Sequence, residues 1–452
     1  MHIHRSDFQK LIQTMIPILI AQVSTVGMNF MDSTMSGHVS ADDLAGVSIG
    51  ASLFMPLLAS SMGILTASTP MAAQLLGKGE RQGIPAIIRT GLYLALVIGL
   101  LVAAGYYFFI DAILAGLHLT PSVEYIARYY MMAMVAAVFF EALVMPLRSL
   151  TDTVGSTSLS MQLFLLALPV NGLLNYAFIF GKWGAPAMGG IGAGIATLLT
   201  YVFLLGLFLF IIWKRSLFMG KEIFSSFHSG IENWKEYLAL GLPNGLAIFA
   251  EASLFGFIII FMTKFGTTVI AAHQAAINFS SLIYMIPMSC SMAMTILVGI
   301  EVGAKRYEKA HDICRLGLMT TLTVAVCTIT LTISLRHWIA SLYTVDPEVI
   351  ALAEIFLVYC AGWQLFDDIA APIQGVLRGY KDAKTPFFLM LLAYWGCCLP
   401  MGLFLDQVMG HGALSYWQGL DFGVGCSALF LVIRLWFIEK RYKSMPPKMK
   451  SI

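Results

Sequence analysis

The sequence predicts an all-α integral membrane protein with twelve transmembrane helices in two six-helix lobes, and three observations support this class. The 452 residues are 58% hydrophobic and only 12% charged, with a mean hydropathy of +0.81, whereas soluble domains carry roughly 25% charge. Continuous apolar runs of about 20 residues recur, which is typical of membrane-spanning helices and unlike the short alternating strands of a barrel. The two halves of the chain also repeat one another.

The repeat is visible in motifs at a nearly constant spacing. Pro17, Ala45 and Gly77 recur 226 residues later as Pro243, Ala271 and Gly303, Leu147-Arg148-x-x-x-Asp152 recurs after 230 as Leu377-Arg378-x-x-x-Asp382, and Gly192-x-Gly194 recurs after 231 as Gly423-x-Gly425. Six spans return the chain to its starting side, so both halves insert in the same orientation. The sequence therefore predicts a pseudo-two-fold axis along the membrane normal, an architecture typical of secondary transporters.

The apolar runs place the spans, in order, at 9–36, 44–76, 86–110, 122–146, 157–181, 189–213, 236–262, 270–302, 313–335, 348–374, 386–405 and 415–438. Several exceed the minimum length, so we expect tilted or bent helices. The domains follow as an amino-terminal lobe at 1–213, a cytoplasmic linker at 214–235, and a carboxy-terminal lobe with a basic tail at 236–452. Gly190-x-x-x-Gly194 indicates close helix packing.

The basic residues test this map. Only Arg128, Lys182, Lys264 and Arg336 fall on the predicted outer side, and nearly all other Lys and Arg lie in the predicted inner segments. By the positive-inside rule both termini are cytoplasmic and the span count is even. The net charge of +2 then reflects topology and does not indicate nucleic-acid binding.

Soluble enzyme chemistry has no sequence signature here. The chain contains no Walker A, HEXXH or CxxC motif, so we expect no catalytic residues and no cofactor. All seven Cys lie in the second half, which does not suggest a disulfide framework.

Acidic residues within the spans are the main functional signal. Five stand out, namely Asp32, Glu141, Glu251, Asp367 and Asp368, and the only deep basic residue we single out is Arg434. An ionisable group in hydrocarbon is costly and normally faces a cavity or a partner. Acids that outnumber bases must bind a proton, a metal cation or a cationic solute, and exchange among these would couple two fluxes.

Each acid has a plainer alternative. Asp32, beyond the helix-bending Pro17, could be a protonatable switch or could snorkel to the outer interface. Glu251, eight residues beyond Pro243, could serve packing instead. Glu141 favours an interface pairing with Arg148.

Two further positions leave alternatives open. Asp367 and Asp368 are adjacent and point in different directions on a helix, so their geometry leaves open which one faces a site. Asn171 and Asn175 share one helix face. They could bind a cation, bond to Asp32 or simply join neighbouring helices.

Several motifs resemble the multidrug and toxic compound extrusion (MATE) family, in its bacterial NorM-like branch. The similarity runs over nearly the whole chain. It is carried by Pro17-Ile-Leu-Ile-Ala-Gln, Met31-Asp32-Ser33-Thr34-Met35-Ser36-Gly37, Asp43-Leu44-Ala45-Gly46-Val47-Ser48, Ala271-Ala272-His273-Gln274-Ala275-Ala276-Ile277-Asn278-Phe279-Ser280 and Leu377-Arg378-Gly379-Tyr380-Lys381-Asp382.

The resemblance implies export of organic cations and related amphiphiles in exchange for Na⁺ or H⁺. On matching positions, Asp32 is the amino-lobe acid, with Asn171, Asn175 and Thr197 around it. Glu251 and Asp367, preferred to Asp368 on this resemblance, match the carboxy-lobe acids linked to cation binding and are a candidate Na⁺ site. The chain departs from the pattern at Asn175, where some relatives carry Asp, and at the additional acids Glu141 and Asp368.

We therefore expect an alternating-access antiporter of a bacterial plasma membrane that is not an enzyme. Asp32, Glu251 and Asp367 would contact the substrate cation as well as the coupling ion. Its partners would be small organic cations and the lipid bilayer, with no nucleic acid and no obligate protein partner. A lipid-linked-sugar flippase is the alternative, but it would favour basic cavity residues; an intramembrane enzyme and a channel are weaker ones.

Overall fold

The computed structural model of the protein describes residues 5–225 and 233–443, and within these ranges the chain is helical and contains no strand. Twelve helical segments are long and apolar enough to cross a membrane, which confirms the predicted fold class and span count. The pseudo-two-fold relation between the halves stays a prediction. Parts of two predicted segments lie outside the described residues. These are residues 226–232 of the linker and residues 444–452 of the basic tail.

The first half contains eight described helices. They are Arg5–Gly37 (α1), Ala41–Leu65 (α2), Ser68–Lys78 (α3), Ile84–Gly116 (α4), Pro121–Leu150 (α5), Thr157–Phe180 (α6), Gly190–Lys214 (α7) and Gly220–Ser225 (α8). The predicted second span is broken between α2 and α3, where the Thr66 hydroxyl donates to the Gly63 carbonyl at 2.7 Å. A π-helical segment, Thr151–Gly155, continues α5.

The second half also contains eight described helices. They are Trp234–Met262 (α9), Thr267–Gly303 (α10), Tyr307–Ser334 (α11), Arg336–Tyr343 (α12), Pro347–Gly379 (α13), Lys384–Leu391 (α14), Leu399–Gln407 (α15) and Leu414–Lys443 (α16). The eleventh span consists of α14, a π-helical segment at Leu392–Cys398, and α15. Such π-helical turns are rare and frequently lie at functional sites.

Polar side chains fix several helix ends. Ser40 caps α2 by accepting the Asp43 N–H at 3.0 Å, and Asp346 caps α13 by accepting the Glu348 N–H at 2.9 Å. The Asp43 carboxylate in turn accepts the Gly190 N–H at 2.6 Å. One acid at the start of α2 thus satisfies an otherwise unpaired donor at the start of α7.

The helices form two compact units. One unit is Ile16–Gly245, and the other combines the described residues of Met1–Met15 and Leu246–Ile452. The divisions fall within α1 and α9, close to Pro17 and Pro243. A proline inside a helix removes one backbone hydrogen bond and bends it. The repeated prolines therefore mark the places where the two long helices pass from one unit to the other.

Small residues bring backbones together within each unit. In the first, a Cβ added to Gly194 would lie 2.9 Å from Ala133 Cβ, and one added to Gly192 would overlap the Phe178 carbonyl and lie 2.8 Å from Ile179 N. The close packing predicted for Gly190 and Gly194 is confirmed, because a Cβ added to Gly190 would also lie 2.8 Å from Val47 Cγ2 and 3.0 Å from the Asp43 carbonyl oxygen. In the second unit, Ser291 Oγ of α10 donates to the Ala371 carbonyl of α13 at 2.5 Å.

This packing predicts the effect of two alanine substitutions in α7. Gly192→Ala would force a methyl group into backbone, so we expect it to lower stability by roughly 1–3 kcal/mol, as overpacking does. Gly206→Ala is the matched control, since a Cβ there meets nothing within 4 Å. Thermal unfolding midpoints of the purified chain in detergent measure both. Equal midpoints would contradict the close approach of α6 and α7.

Candidate functional site

The first unit buries a carboxylate in a cluster of neutral hydrogen-bond donors. Asp32, in α1, is 3% exposed. Its Oδ1 accepts Asn175 Nδ2 of α6 at 2.7 Å, and its Oδ2 accepts the Thr197 hydroxyl of α7 at 2.6 Å. Because the side chain is enclosed and held by two other helices, the structure excludes the alternative in which Asp32 snorkels to the interface.

The amides extend this cluster. Asn175 Nδ2 also donates to Asn171 Oδ1 at 3.1 Å, and Asn171 Nδ2 lies 3.4 Å from the Thr200 hydroxyl. The structure thus brings together all four residues named for the amino-lobe site and adds Thr200, which the sequence did not single out. Its spacing of three from Thr197 on one helix was the available signal. Asn175 Oδ1 is buried and accepts no hydrogen bond from the described residues.

Two tyrosines and a second acid surround this cluster. Tyr130 and Tyr201 lie within electrostatic range of Asp32, and the Tyr201 hydroxyl is within hydrogen-bonding reach of Glu141. Arg148 has a nearer partner than Glu141, because its Nε lies 3.5 Å from Asp152 Oδ2. Arg148 thus forms its ion pair within the recurring Arg-x-x-x-Asp motif, and Glu141, for which the sequence favoured a pairing with Arg148, lies within electrostatic range of the same guanidinium.

The second unit contains the other predicted acids. Glu251 of α9 is half-buried, and Tyr394, in the π-helical segment, lies within hydrogen-bonding reach of its carboxylate. Asp367 of α13 is 9% exposed and lies close enough to Glu251 for the two charges to repel. Tyr284 of α10 lies within electrostatic range of both acids. The structure thus places two carboxylates and two phenols in one cluster, of which Asp367 and Tyr394 are buried and Glu251 and Tyr284 are half-buried.

The adjacent acids at the end of this cluster are oriented differently. Asp367 interacts electrostatically with Glu251, whereas Asp368 lies near Cys290, and its backbone carbonyl accepts the Thr321 hydroxyl of α11 at 2.7 Å. The rotation of α13 about its axis therefore selects Asp367 as the neighbour of Glu251.

Two arginines that lay outside the spans predicted from the sequence are within the membrane-spanning segments of the structure. Besides Arg434, which pairs with Asp382 at 2.7 Å, the spans also contain Arg148, which is 6% exposed, and Arg378, which donates to Ser291 Oγ at 2.7 Å. Their shared Leu-Arg motif was the signal. Asp421 of α16 is another intramembrane acid that was not singled out, although it lies inside the predicted span.

Within the described ranges, no group of three or more His, Cys, Asp or Glu is arranged to hold a metal ion. Glu251 and Asp367 would supply two carboxylates, and hydroxyl, carbonyl or water oxygens would have to complete the shell of a hard cation.

Comparisons with known proteins extend this description. The family model described as MatE matches the chain twice, over residues 17–177 and 243–404. The chain is 42% identical over 428 residues to a probable multidrug resistance protein NorM of Oceanobacillus iheyensis, covering 94% of this chain and 96% of that protein. A Bacillus subtilis protein of the same name is 41% identical over 441 residues, covering 97% of each. The fold resembles the crystal structure of a eukaryotic MATE transporter, with a TM-score of 0.86 at 19% identity over 97% of this chain and 98% of that one.

The cluster around Asp32 predicts the effect of removing one donor. Thr197→Val keeps the shape of the side chain but leaves Asp32 Oδ2 without its hydroxyl donor, so we expect a loss of roughly 1–3 kcal/mol in stability, typical of a buried polar group left unsatisfied. Thr25→Val is the control, because the Thr25 hydroxyl donates only to the Ala21 carbonyl of its own helix, at 3.2 Å. Unfolding midpoints in detergent compare them. If both variants lose equally little, the Thr197 bond contributes nothing to the folded state.

Proposed function

The chain belongs to the MatE family, whose members are transporters and not enzymes, and from this premise we propose that it is a secondary active antiporter that exports organic cations and amphiphilic drugs in exchange for Na⁺ or H⁺. It is a multi-pass membrane protein with twelve spans. We place it in a bacterial plasma membrane with both termini cytoplasmic, as the distribution of Lys and Arg favours. Relatives named multidrug resistance proteins support the substrate class.

The observation that carries this proposal is a buried carboxylate surrounded by neutral partners. Asp32 accepts hydrogen bonds from Asn175 and Thr197, and no Lys or Arg of the described chain forms an ion pair with it. An ionised carboxylate inside a membrane is costly without a counter-charge. Any cation that reaches Asp32 therefore gains binding free energy by neutralising it, whether it is H⁺, Na⁺ or an organic cation.

Competition for one carboxylate provides exchange. If the organic cation and the coupling ion both neutralise Asp32, binding of either weakens binding of the other, and the coupling is reciprocal. Transport also requires that the ion bind the two access states with different affinity, since equal affinity shifts no population. The amide of Asn175, whose Oδ1 is buried and unpaired within the described chain, is a second oxygen that could contact the bound cation.

The second unit supports a further binding position for a cation. Glu251 and Asp367 lie within electrostatic range of each other, so a cation bound between them would reduce the repulsion between their charges. We assign them as the candidate Na⁺ site and as contacts for the organic cation. The sequence departure at Asn175 is consistent with this division, because the amide leaves the first unit with one carboxylate in its cluster.

Transport in proteoliposomes tests the proposal. With the purified chain, we expect a Na⁺ gradient or a pH gradient to drive efflux of a fluorescent organic cation, and whichever gradient works identifies the coupling ion. Asp32→Asn and Glu251→Gln should each slow exchange by about tenfold or more, because a charge-assisted hydrogen bond contributes roughly 1.5–3 kcal/mol.

Controls separate the outcomes of this experiment. Asp312→Asn neutralises an exposed acid of the second unit and should transport like wild type. Folded wild-type protein that responds to neither gradient would contradict antiport and favour the lipid-linked-sugar flippase. Full activity of Asp32→Asn would remove Asp32 from the mechanism while leaving the family membership intact.

A further inference from the structure

A third carboxylate lies inside the second unit, away from the cluster of Glu251 and Asp367. Asp421 belongs to α16, and its side chain is half-buried. No Lys or Arg in the described ranges pairs with it, and Asp421 Oδ1 is inaccessible and without a hydrogen-bond partner there. A Cβ added to Gly362 of α13 would lie 3.0 Å from Asp421 Oδ2, so the absence of a side chain at Gly362 leaves room for the carboxylate between the two helices.

Aromatic and polar side chains connect this carboxylate to one end of the unit. The even-numbered spans, which include α10, α13 and α16, run in the same direction. Trp417 lies one turn before Asp421, near the start of α16. Its ring contacts His273, near the start of α10, with ring centroids 5.3 Å apart, and it stacks on Phe356 of α13 at 5.2 Å.

Polar groups continue from Asp421 in the opposite direction. Cys360 of α13 donates to the Ala276 carbonyl of α10 at 3.5 Å and lies within hydrogen-bonding reach of Ser280. Its thiol is within electrostatic range of both Asp421 and Asp367. Gln364 lies one turn after Cys360 and three residues before Asp367, on the same helix face. We call His273, Trp417, Asp421, Cys360, Ser280 and Gln364 the polar column.

The polar column is unusually short of hydrogen bonds for a buried region. His273 is 1% exposed, Trp417 0% and Gln364 4%. Both ring nitrogens of His273, the indole N–H of Trp417 and both amide atoms of Gln364 have no partner among the residues that the structure describes. Buried polar atoms in native proteins nearly always bond to protein or ordered water, so this clustering points to a ligand shared along the column.

We propose that Asp421 is a proton-binding carboxyl and that the polar column conducts protons between the starts of α10 and α16 and Gln364 of α13. In each passage the Asp421 carboxylate accepts one proton from a hydronium ion, which becomes water, and the carboxylate becomes a carboxylic acid. The acid then releases that proton to a water molecule on the side of Gln364, which becomes hydronium, and Asp421 is again a carboxylate. With the proposed cytoplasmic termini, the column opens to the outer side.

The surroundings of Asp421 favour a proton over other ligands. Two thiols lie within electrostatic range of Asp421, Cys360 of α13 and Cys398 of the π-helical segment. Asp406 of α15 is engaged by Lys264 and Tyr416. The carboxylate would repel an anion. The described residues form no metal-binding group of three or more His, Cys, Asp or Glu. A proton requires only one acceptor oxygen, and His273 can both donate and accept one.

Infrared difference spectra of the full-length chain, recorded between acidic and alkaline pH in detergent, test the site directly. We expect Asp421→Asn to remove one protonated-carboxyl stretching band that wild type and Asp312→Asn retain. Gly362→Ala should shift the frequency of that same band, because its methyl group would contact Asp421 Oδ2. Gly256→Ala is the matched control, since a Cβ there meets nothing within 4 Å. An unchanged band in Asp421→Asn, or no shift in Gly362→Ala, would overturn the proton site.

Conduction along the polar column rests on the proposed antiport function and has its own readout. In proteoliposomes, Asp421→Asn should slow pH-driven efflux of the fluorescent cation at least about tenfold, equivalent to roughly 1.4 kcal/mol in the rate. The affinity of the solubilised protein for the same cation should stay within about twofold, unlike that of Asp32→Asn. A lost band with unaltered pH-driven efflux would overturn conduction. If wild type transports nothing, the antiport proposal fails, whereas the infrared band still decides the proton site.

Discussion

The interior of a membrane solvates neither a charge nor a peptide group that lacks hydrogen bonds, and the other features of this protein depend on that constraint. The backbone must satisfy its hydrogen bonds within helices, so the described chain is helical almost throughout. Each carboxylate kept within a span must be held by donors, by a counter-ion or by a proton. The acidic residues within the spans are therefore few, and the surroundings of each one indicate what it can bind.

The two units meet this constraint differently. The first surrounds Asp32 with amides and hydroxyls, which stabilise the charge but do not neutralise it. The second brings Glu251 within electrostatic range of Asp367 and adds two phenols. Neutral donors leave a carboxylate available to an exchangeable cation, whereas two close carboxylates compete for one. Two halves that share several motifs thus contain two chemically distinct sites.

Close backbone contact makes these sites possible. Glycine and serine along α7, α10 and α13 allow helices to approach until hydroxyls bond to neighbouring carbonyls, as Ser291 does to Ala371. Van der Waals packing of this kind replaces the hydrophobic effect, which cannot drive helices together in lipid. The same approach at Gly362 leaves room for the Asp421 carboxylate between α13 and α16.

The number of spans and the intramembrane positions of Asp32, Glu251 and Asp367 follow from the sequence alone. The thickness of the hydrocarbon core sets how long and how apolar a spanning segment must be, and both properties are visible in a short stretch of sequence. The rotation of each helix about its axis cannot be read locally, since neighbouring helices determine it. Only the tertiary structure therefore showed that Asp367 and not Asp368 faces Glu251. Packing of neighbouring helices also determines the partners of the ion pairs. Asp152 pairs with Arg148 of its own span, whereas its second-half counterpart Asp382 pairs with Arg434 of another span.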